Sequence, residues 1–517
     1  MRSCVKYALL SLGLFTQSSV HGQIRINEIL AGNSTTIHDP DFGEFPDFVE
    51  LRNTSTGPAT LAGLRLSDRQ DGANAWALPS IILSPGQHVL IWADGRDKRP
   101  GDTAFVAYKN LVATMTSMHT DFKLSGDGEY IGLFDAAGNV VDEFSFGVQT
   151  DDVSMGIDPT NPAQWQYFSE PTPGFANSPY GSVLLEAASE PTFSLPGGLY
   201  PSAQSLQLTT VQSNATIRYT YDGSNPNGNS PIYSTSIPLN LSLAIKARVY
   251  IPGKMPSKVV TMTYLINEND QFPIISISAN STSLYDVDFG ILQNAIKDRE
   301  VPATITYFEQ GEQTPAFTAG IGLRVFGSSI YNLPQRPLSV RFKEKFGTEV
   351  LPYKLFSDKP ITQYSSFQLR NGGNDYNTAF FRDGLGTTLV KGKIDLDYQD
   401  YRPCLVFING QYNGIHELRE RLDERYIASN HELNADNLDY LEDSLHIVSG
   451  DQHAYSELLD FVTNNDLSDP ANYATVAAQV DINELLNFLL LRAFIGYRIG
   501  DINNRYWRDS DATGNQK

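Results

Sequence analysis

A chain of 517 residues exceeds the size at which a single core keeps growing, so roughly two to four domains are expected. With 41% hydrophobic residues the composition excludes disorder, and no apolar run beyond the start is long enough to span a bilayer. The net charge of −21 repels phosphate backbones and anionic lipid at long range, which sets nucleic acid aside as a partner.

The first residues, MRSCVKYALLSLGLFTQSSVHGQ, place Arg2 and Lys6 before an apolar run from Tyr7 to Phe15 and then small residues. That order predicts a secretory signal peptide over residues 1–22, and hence export to the periplasm, cell surface or extracellular space. Cys4 falls inside that segment, leaving Cys404 as the one mature cysteine and no internal disulfide. In RPCLVFING, Cys404 sits in an apolar strand pattern, which predicts a buried, inert thiol.

From residue 23 to about 180, the alternating runs FVELRN, HVLIWAD and YIGLFD are separated by the turn signals SPG, GDG and AAGN. Such spacing predicts a β-sandwich or barrel. INEILAGN, DFVELRN, LAGLRLSD, LSPGQHVLIWADG, HTDFKLSGDGEYIGLFDAAGNVVDEFSFG and PTPGFAN resemble the lamin-tail domain family, which implies an immunoglobulin-like sandwich. Within this segment DPDFGEFPDFVE sets Asp39, Asp41, Asp47 and Glu50 at positions one, three, nine and twelve of a calcium-type loop. Gly43 at position five and the interrupting prolines do not suit such a loop, so a solvated acidic loop is expected.

Residues 186–266 again read as short strands with DG and PG turns, enough for a small sandwich. FSLPGG, IRYTYDGSNP and IKARVY resemble the chitobiase/β-hexosaminidase carboxy-terminal domain, which implies an accessory module. No carboxylate pair for glycoside hydrolysis accompanies it, so surface binding is implied rather than sugar cleavage. Tyr219 and Tyr221 are candidates to face a carbohydrate, against the commoner role of alternate tyrosines in packing one strand face.

From residue 269 to 517 the texture changes. VPATITYFE, GLRVFG and PLSVRFK read as strands, while RERLDERYIASN, YSELLDFVTNN and INELLNFLLLRAFIGY read as helices, so an α+β domain is expected. In PCLVFINGQYNGIHELRERLDERY a strand reaches the turn NG, a second strand follows, and a helix begins. Glu417 and Arg419 share one face of the second strand and read as a structural ion pair.

RVFGSSIYNLPQRPLSVRFKEKFG, YKLFSD, FQLRNGGNDYNTAFFRDGLG, YRPCLVFINGQYNGIHELRERLDERY and IGDINNRYW together resemble the CotH kinase family. The resemblance implies an atypical protein-kinase-like fold, ATP with Mg²⁺ or Mn²⁺, and a protein hydroxyl as phosphate acceptor. Phosphoryl transfer needs cations on the phosphates, oxygen ligands on a divalent metal and a carboxylate to position the attacking hydroxyl. On that resemblance Arg336, where the family commonly has Lys, is a nucleotide-binding candidate together with Arg370 and Arg382. Asp501 is the catalytic candidate, and Asn503 and Asn504 are the metal candidates. Asp383 is assigned to orienting Arg382, and Glu420 to a structural role on the following helix. The family continues to a Trp-Asp-x-Asp type motif, whereas this sequence ends in DATGNQK, so a truncated or inactive domain is expected, with a fragment the preferred explanation.

Other chemistry fails on spacing. GTTLVKGKI has no Ser or Thr after Lys393, so it is no Walker-type phosphate loop, and the mature histidines form no pair at zinc-ligand spacing. Two functions stay open: an exported kinase positioned by two β-sandwiches, or a non-catalytic adhesion or structural protein with a degenerate kinase-like domain. Expected partners are a protein substrate or a cell-surface or matrix component, with carbohydrate as a further candidate.

Overall fold

The computed structural model describes residues 23–33, 35–106, 111–183, 186–295, 299–327, 333–443, 446–496 and 504–510. The predicted signal segment therefore lies outside the described residues, as do Asp501 and Asn503. The chain divides into two compact units, Met1–Ala188 with Tyr250–Pro256, and Ser189–Val249 with Ser257–Lys517. Among the described residues no helix is long and apolar enough to cross a membrane.

The first unit is mostly β. Its larger sheet runs Met118–His119, His88–Ala93, Asp47–Asn53, Ile24–Leu30, Ser154–Ile157, Trp165–Phe168. A second sheet runs Val140–Phe146, Glu129–Phe134, Arg65–Ser67, Trp76–Ala77. Alternation explains the pairing: Val49, Leu51 and Ile91 from one sheet meet Leu66, Ile131 and Leu133 from the other in one core.

In the second unit, the sheet Gly198–Tyr200, Val260–Ile266, Leu243–Tyr250, Thr216–Thr220 builds the small sandwich. It packs on the next region through Leu199, Leu265, Ile274, Phe308, Leu405 and Phe407. Gly223 makes that approach possible: it has φ +78°, and a Cβ there would lie 1.9 Å from the Ala279 carbonyl oxygen. The turn Asn409–Gly410, with both residues at positive φ, delivers the Asn409 side-chain amide to the Asp222 carbonyl at 3.1 Å.

The strands that follow close into a seven-stranded barrel, in the order Ile274–Ala279, Val301–Phe308, Phe317–Val325, Leu338–Arg341, Ser366–Arg370, Gln411–Glu420, Tyr401–Ile408. A parallel pairing of the last with the first completes it. Ile275, Ile305, Leu323, Val340, Leu369, Leu418 and Val406 fill one buried core. The strand pattern was expected, but closure was not, because alternation marks faces and not which edges meet. Helices Glu424–His431, His453–Asn464, Pro470–Ala477 and Ile482–Phe494 come after the barrel. Cys404 is buried in the barrel core, and burial pushes its thiol up to about 12.

Candidate functional site

Strand Ser366–Arg370 pairs with Gln411–Glu420 so that Leu369 lies opposite Leu418, and Arg370 opposite Glu417. Because side chains alternate, the leucines enter the barrel core while Arg370, Glu417 and Arg419 share the other face. Tyr401 on the neighbouring strand lies opposite Arg419, with the guanidinium 5.6 Å from its ring centroid. A charged layer thus forms on the outside of the barrel wall.

The turn after Arg370 is built for close approach. Gly372 and Gly373 have φ +77° and +57°, and a Cβ on Gly373 would meet the Arg370 guanidinium at 2.5 Å. Asp375 then accepts from the backbone N–H groups of Ala379 and Arg382 at 3.2 and 3.1 Å, starting helix Arg382–Val390. Gly384 lets that helix lie on the Tyr401 ring, since a Cβ would meet the ring at 2.3 Å. Asp383 in the first turn consequently reaches Arg370 at 2.5 Å and Arg419 at 3.9 Å.

Glu417 and Arg419 are 2% and 3% exposed and stand 2.7 Å apart. Arg419 Nη2 meets Glu417 Oε2 directly, so each charge has its counter-charge in the pair, while Nε of Arg419 and Nε of Arg370 are buried without a hydrogen-bond partner. Burial raises the Glu417 carboxyl and lowers the Arg419 guanidinium, against the pull of each on the other. Buried polar atoms left unmatched cost about 1–3 kcal/mol each, and in this layer the two arginine Nε atoms are the ones that lack a partner.

The predicted site residues separate. The Glu417–Arg419 pair forms as expected, and Arg370 joins it. Arg382 instead pairs with Asp375 at 3.3 Å and is largely exposed, so Asp383 orients Arg370 and not Arg382. The helix begins at Arg382, which turns the two neighbouring side chains to different sides. Arg336 directs Nε and Nη1 of its guanidinium to the carbonyls of Leu292 and Leu333, at 3.1 and 2.6 Å. Its neighbour Gln335 is nevertheless tied to the site, accepting from the Asn371 side chain at 2.6 Å. Asn504 is buried, its amide 3.5 Å from the Tyr506 hydroxyl.

Glu420 closes the strand and does not sit on the helix; it forms a buried pair with Lys359 at 2.5 Å. Lys359 also donates to the Asn430 side chain and the Tyr398 carbonyl, at 2.8 and 3.2 Å. SDKPIT carries no spacing that marks this lysine, and only the fold reveals it. Nearby, a cleft of about 460 Å³ is lined by Glu309, Asp358, Lys391, Asp400 and Arg402. Lys391 pairs there with Asp358 and Asp400, and Arg402 with Glu309, while Lys354 also lines the cleft.

The acidic stretch of the first unit also departs from expectation. Asp39, Asp41 and Glu50 are buried rather than solvated, because their carboxylates hold backbone N–H groups of Asp41, Thr116 and Gly174.

Residues 17–147 match the Lamin Tail Domain model, residues 195–261 the Chitobiase/beta-hexosaminidase C-terminal domain model, and residues 323–516 the CotH kinase protein model. No curated protein matches the chain. Among solved structures, the sialic acid binding region of the Streptococcus sanguinis SK1 adhesin bound to 3'sLn is similar at 10% identity and TM-score 0.12. That match covers 53% of this chain and 91% of the adhesin chain, and at such a TM-score it carries no argument. The chain thus bears, in order, a lamin-tail domain, a chitobiase/β-hexosaminidase C-terminal-like domain and a CotH kinase domain.

Proposed function

We propose that residues 269–517 form an atypical ATP-dependent protein kinase acting outside the cell on a protein hydroxyl, with the two β-sandwich modules holding it at a surface or matrix. The observation that carries this reading is Arg370: its guanidinium is fixed by Asp383, and its buried Nε has no hydrogen-bond partner. Such an arginine fits an anionic oxygen group, and its fork suits bidentate phosphate contact. The match of residues 323–516 to the CotH kinase protein model supports the same reading.

Bound ATP with Mg²⁺ or Mn²⁺ would supply the phosphoryl group and neutralise its charge. Arg370 would bind phosphate oxygens, while Asp383 and the Glu417–Arg419 pair hold its plane. Asp501 would accept the proton of the acceptor hydroxyl, and Asn503 and Asn504 would hold the divalent ion. Arg336 and Arg382 are secondary here, since each guanidinium already has partners. The half-exposed Tyr221 beside Tyr219, 5.6 Å away, makes the small sandwich the module to test for carbohydrate.

The test is nucleotide binding and transfer from labelled ATP with Mg²⁺ or Mn²⁺, using the full chain, Arg370→Ala and Asp501→Ala. Asp501→Ala is expected to lower transfer by about 100-fold or more while leaving nucleotide binding in place. Failure of the unaltered chain to bind nucleotide with either metal would overturn the kinase reading.

A further inference from the structure

His119 lies at the centre of a second buried group, in the first unit. It is 0% exposed, as is Asp39, and Asp41 is 3% exposed. One ligand atom from each of the three lies within 4.8 Å of the others. The residues come from distant parts of the sequence, which is why spacing among histidines and cysteines did not point to them.

The two ring nitrogens of His119 are treated differently. Nδ1 lies 2.8 Å from the Asp94 carboxylate, the length of a strong charge-assisted hydrogen bond. Nε2 faces Asp41 at 3.4 Å and Asp39 at 3.9 Å, longer than the roughly 2.7–2.9 Å expected if a proton were shared in a strong ionic contact. A tetrahedral ion with bonds of about 2.0–2.1 Å separates its donors by roughly 3.3 Å. The separation from Asp41 matches that spacing, and the one from Asp39 is about half an ångström wider.

The surroundings match those of a metal-ligating imidazole. Asp94 orients the ring through Nδ1 and is itself held by Arg96 at 2.6 Å. Asp41 is anchored by the Thr116 and Ser117 backbone N–H groups at 2.9 and 2.8 Å, and Asp39 by those of Asp41 and Phe42 at 2.8 and 2.9 Å. The Phe42 ring packs edge-on to His119, with centroids 5.1 Å apart, and gives an apolar wall.

We propose that Asp39, Asp41 and His119 bind one divalent transition-metal ion of the zinc class, with Asp94 as the positioning residue for the imidazole. The ion pins the loop after Asp39 to the strand Met118–His119. One imidazole nitrogen and two carboxylates suit zinc, cobalt or manganese, and three protein donors leave one position for solvent. A proton is the competing occupant of Nε2: burial lowers the ring's pKa, but hydrogen bonds to Asp41 and Asp94 outweigh it and raise it to about 9.

The experiment titrates Zn²⁺ into the chelator-treated full chain by calorimetry, with Ca²⁺ and Mg²⁺ as comparison ions, and records the Co²⁺ absorption spectrum. One equivalent of Zn²⁺ is expected, with an intense tetrahedral Co²⁺ band. Affinity should fall by more than about 10-fold in Asp41→Asn and His119→Gln, and by about 10–100-fold in Asp94→Asn. Absence of Zn²⁺ binding, unchanged affinity in folded variants, or a weak octahedral Co²⁺ spectrum would overturn the proposal. The wild-type cobalt spectrum decides the matter even where a variant does not fold.

Discussion

Two pairs of charged residues stand opposite one another on adjacent strands, and they are satisfied in different ways. In the first unit Glu28 lies opposite Glu50, and every carboxylate oxygen has a donor: Ser154 and Thr172 serve Glu28, Asn27 and Gly174 serve Glu50. In the barrel wall Arg370 lies opposite Glu417, whose carboxylate is met by the Arg419 guanidinium at 2.7 Å, while Arg370 Nε has no hydrogen-bond partner. The satisfied pair ties distant strands and the closing segment of its sandwich together. Its counterpart is an ion pair with two arginine Nε atoms left over, and those atoms carry the unused polar capacity of the barrel wall.

Glu417→Ala strips Arg419 of its buried counter-charge and is expected to cost about 3–5 kcal/mol, measured by denaturant unfolding. The double change Glu417→Leu with Arg419→Met should recover most of that loss if the pair contributes nothing beyond packing. A stable double variant that still binds nucleotide fully would show the pair to be dispensable to the site.

Arg370→Ala should weaken nucleotide binding by about 100-fold, roughly 2.7 kcal/mol, since a charge-assisted bidentate contact is lost. Asp383→Asn, at a half-exposed carboxylate, should cost about 10-fold in binding and little in stability. Equal effects of the two changes would mean that Asp383 touches the ligand itself rather than positioning Arg370.

The satisfied pair makes a pH prediction. Burial first, and then the charge of Glu28, push the Glu50 carboxyl up to about 8 from an ordinary 4.5. His88, lowered to about 4 by burial, stays neutral and gives no counter-charge. Between these carboxyl values the folded chain holds a proton that the unfolded chain has released. Stability should therefore be greatest below pH 4.5 as far as this group is concerned, and fall as pH rises towards 8. Unfolding at pH 5 and 7.5 should differ by about 2–3 kcal/mol from this source, and Glu50→Gln should flatten the slope. The smallest effect is expected at Cys404, where burial in the core predicts no reaction with thiol reagents while the chain is folded.

The strands, the NG hairpin turn and the buried cysteine were legible because each rests on local chemistry: alternation, a turn that needs positive φ, and an apolar neighbourhood. Arg370, Glu417 and Arg419 were legible as residues of interest, but not as one group. Lys359 was not legible at all, since its partners Glu420, Tyr398 and Asn430 belong to three later segments. The acidic stretch from Asp39 misled for the same reason: its carboxylates are buried by contacts with residues 116–119, which no local pattern signals.

By itself, then, the sequence determined the order of the three domain types, the strand faces and the turns, because a side-chain period of two and a glycine's φ are properties of neighbouring residues. Long-range contacts settled that the strands from Ile274 to Glu420 close into a barrel, that Asp383 serves Arg370 while Arg382 turns to Asp375, and that His119 meets Asp39 and Asp41. Those outcomes depend on strand register, on glycines that permit backbone and rings to touch, and on which buried charge finds a partner, and all three are set by residues far apart in the chain.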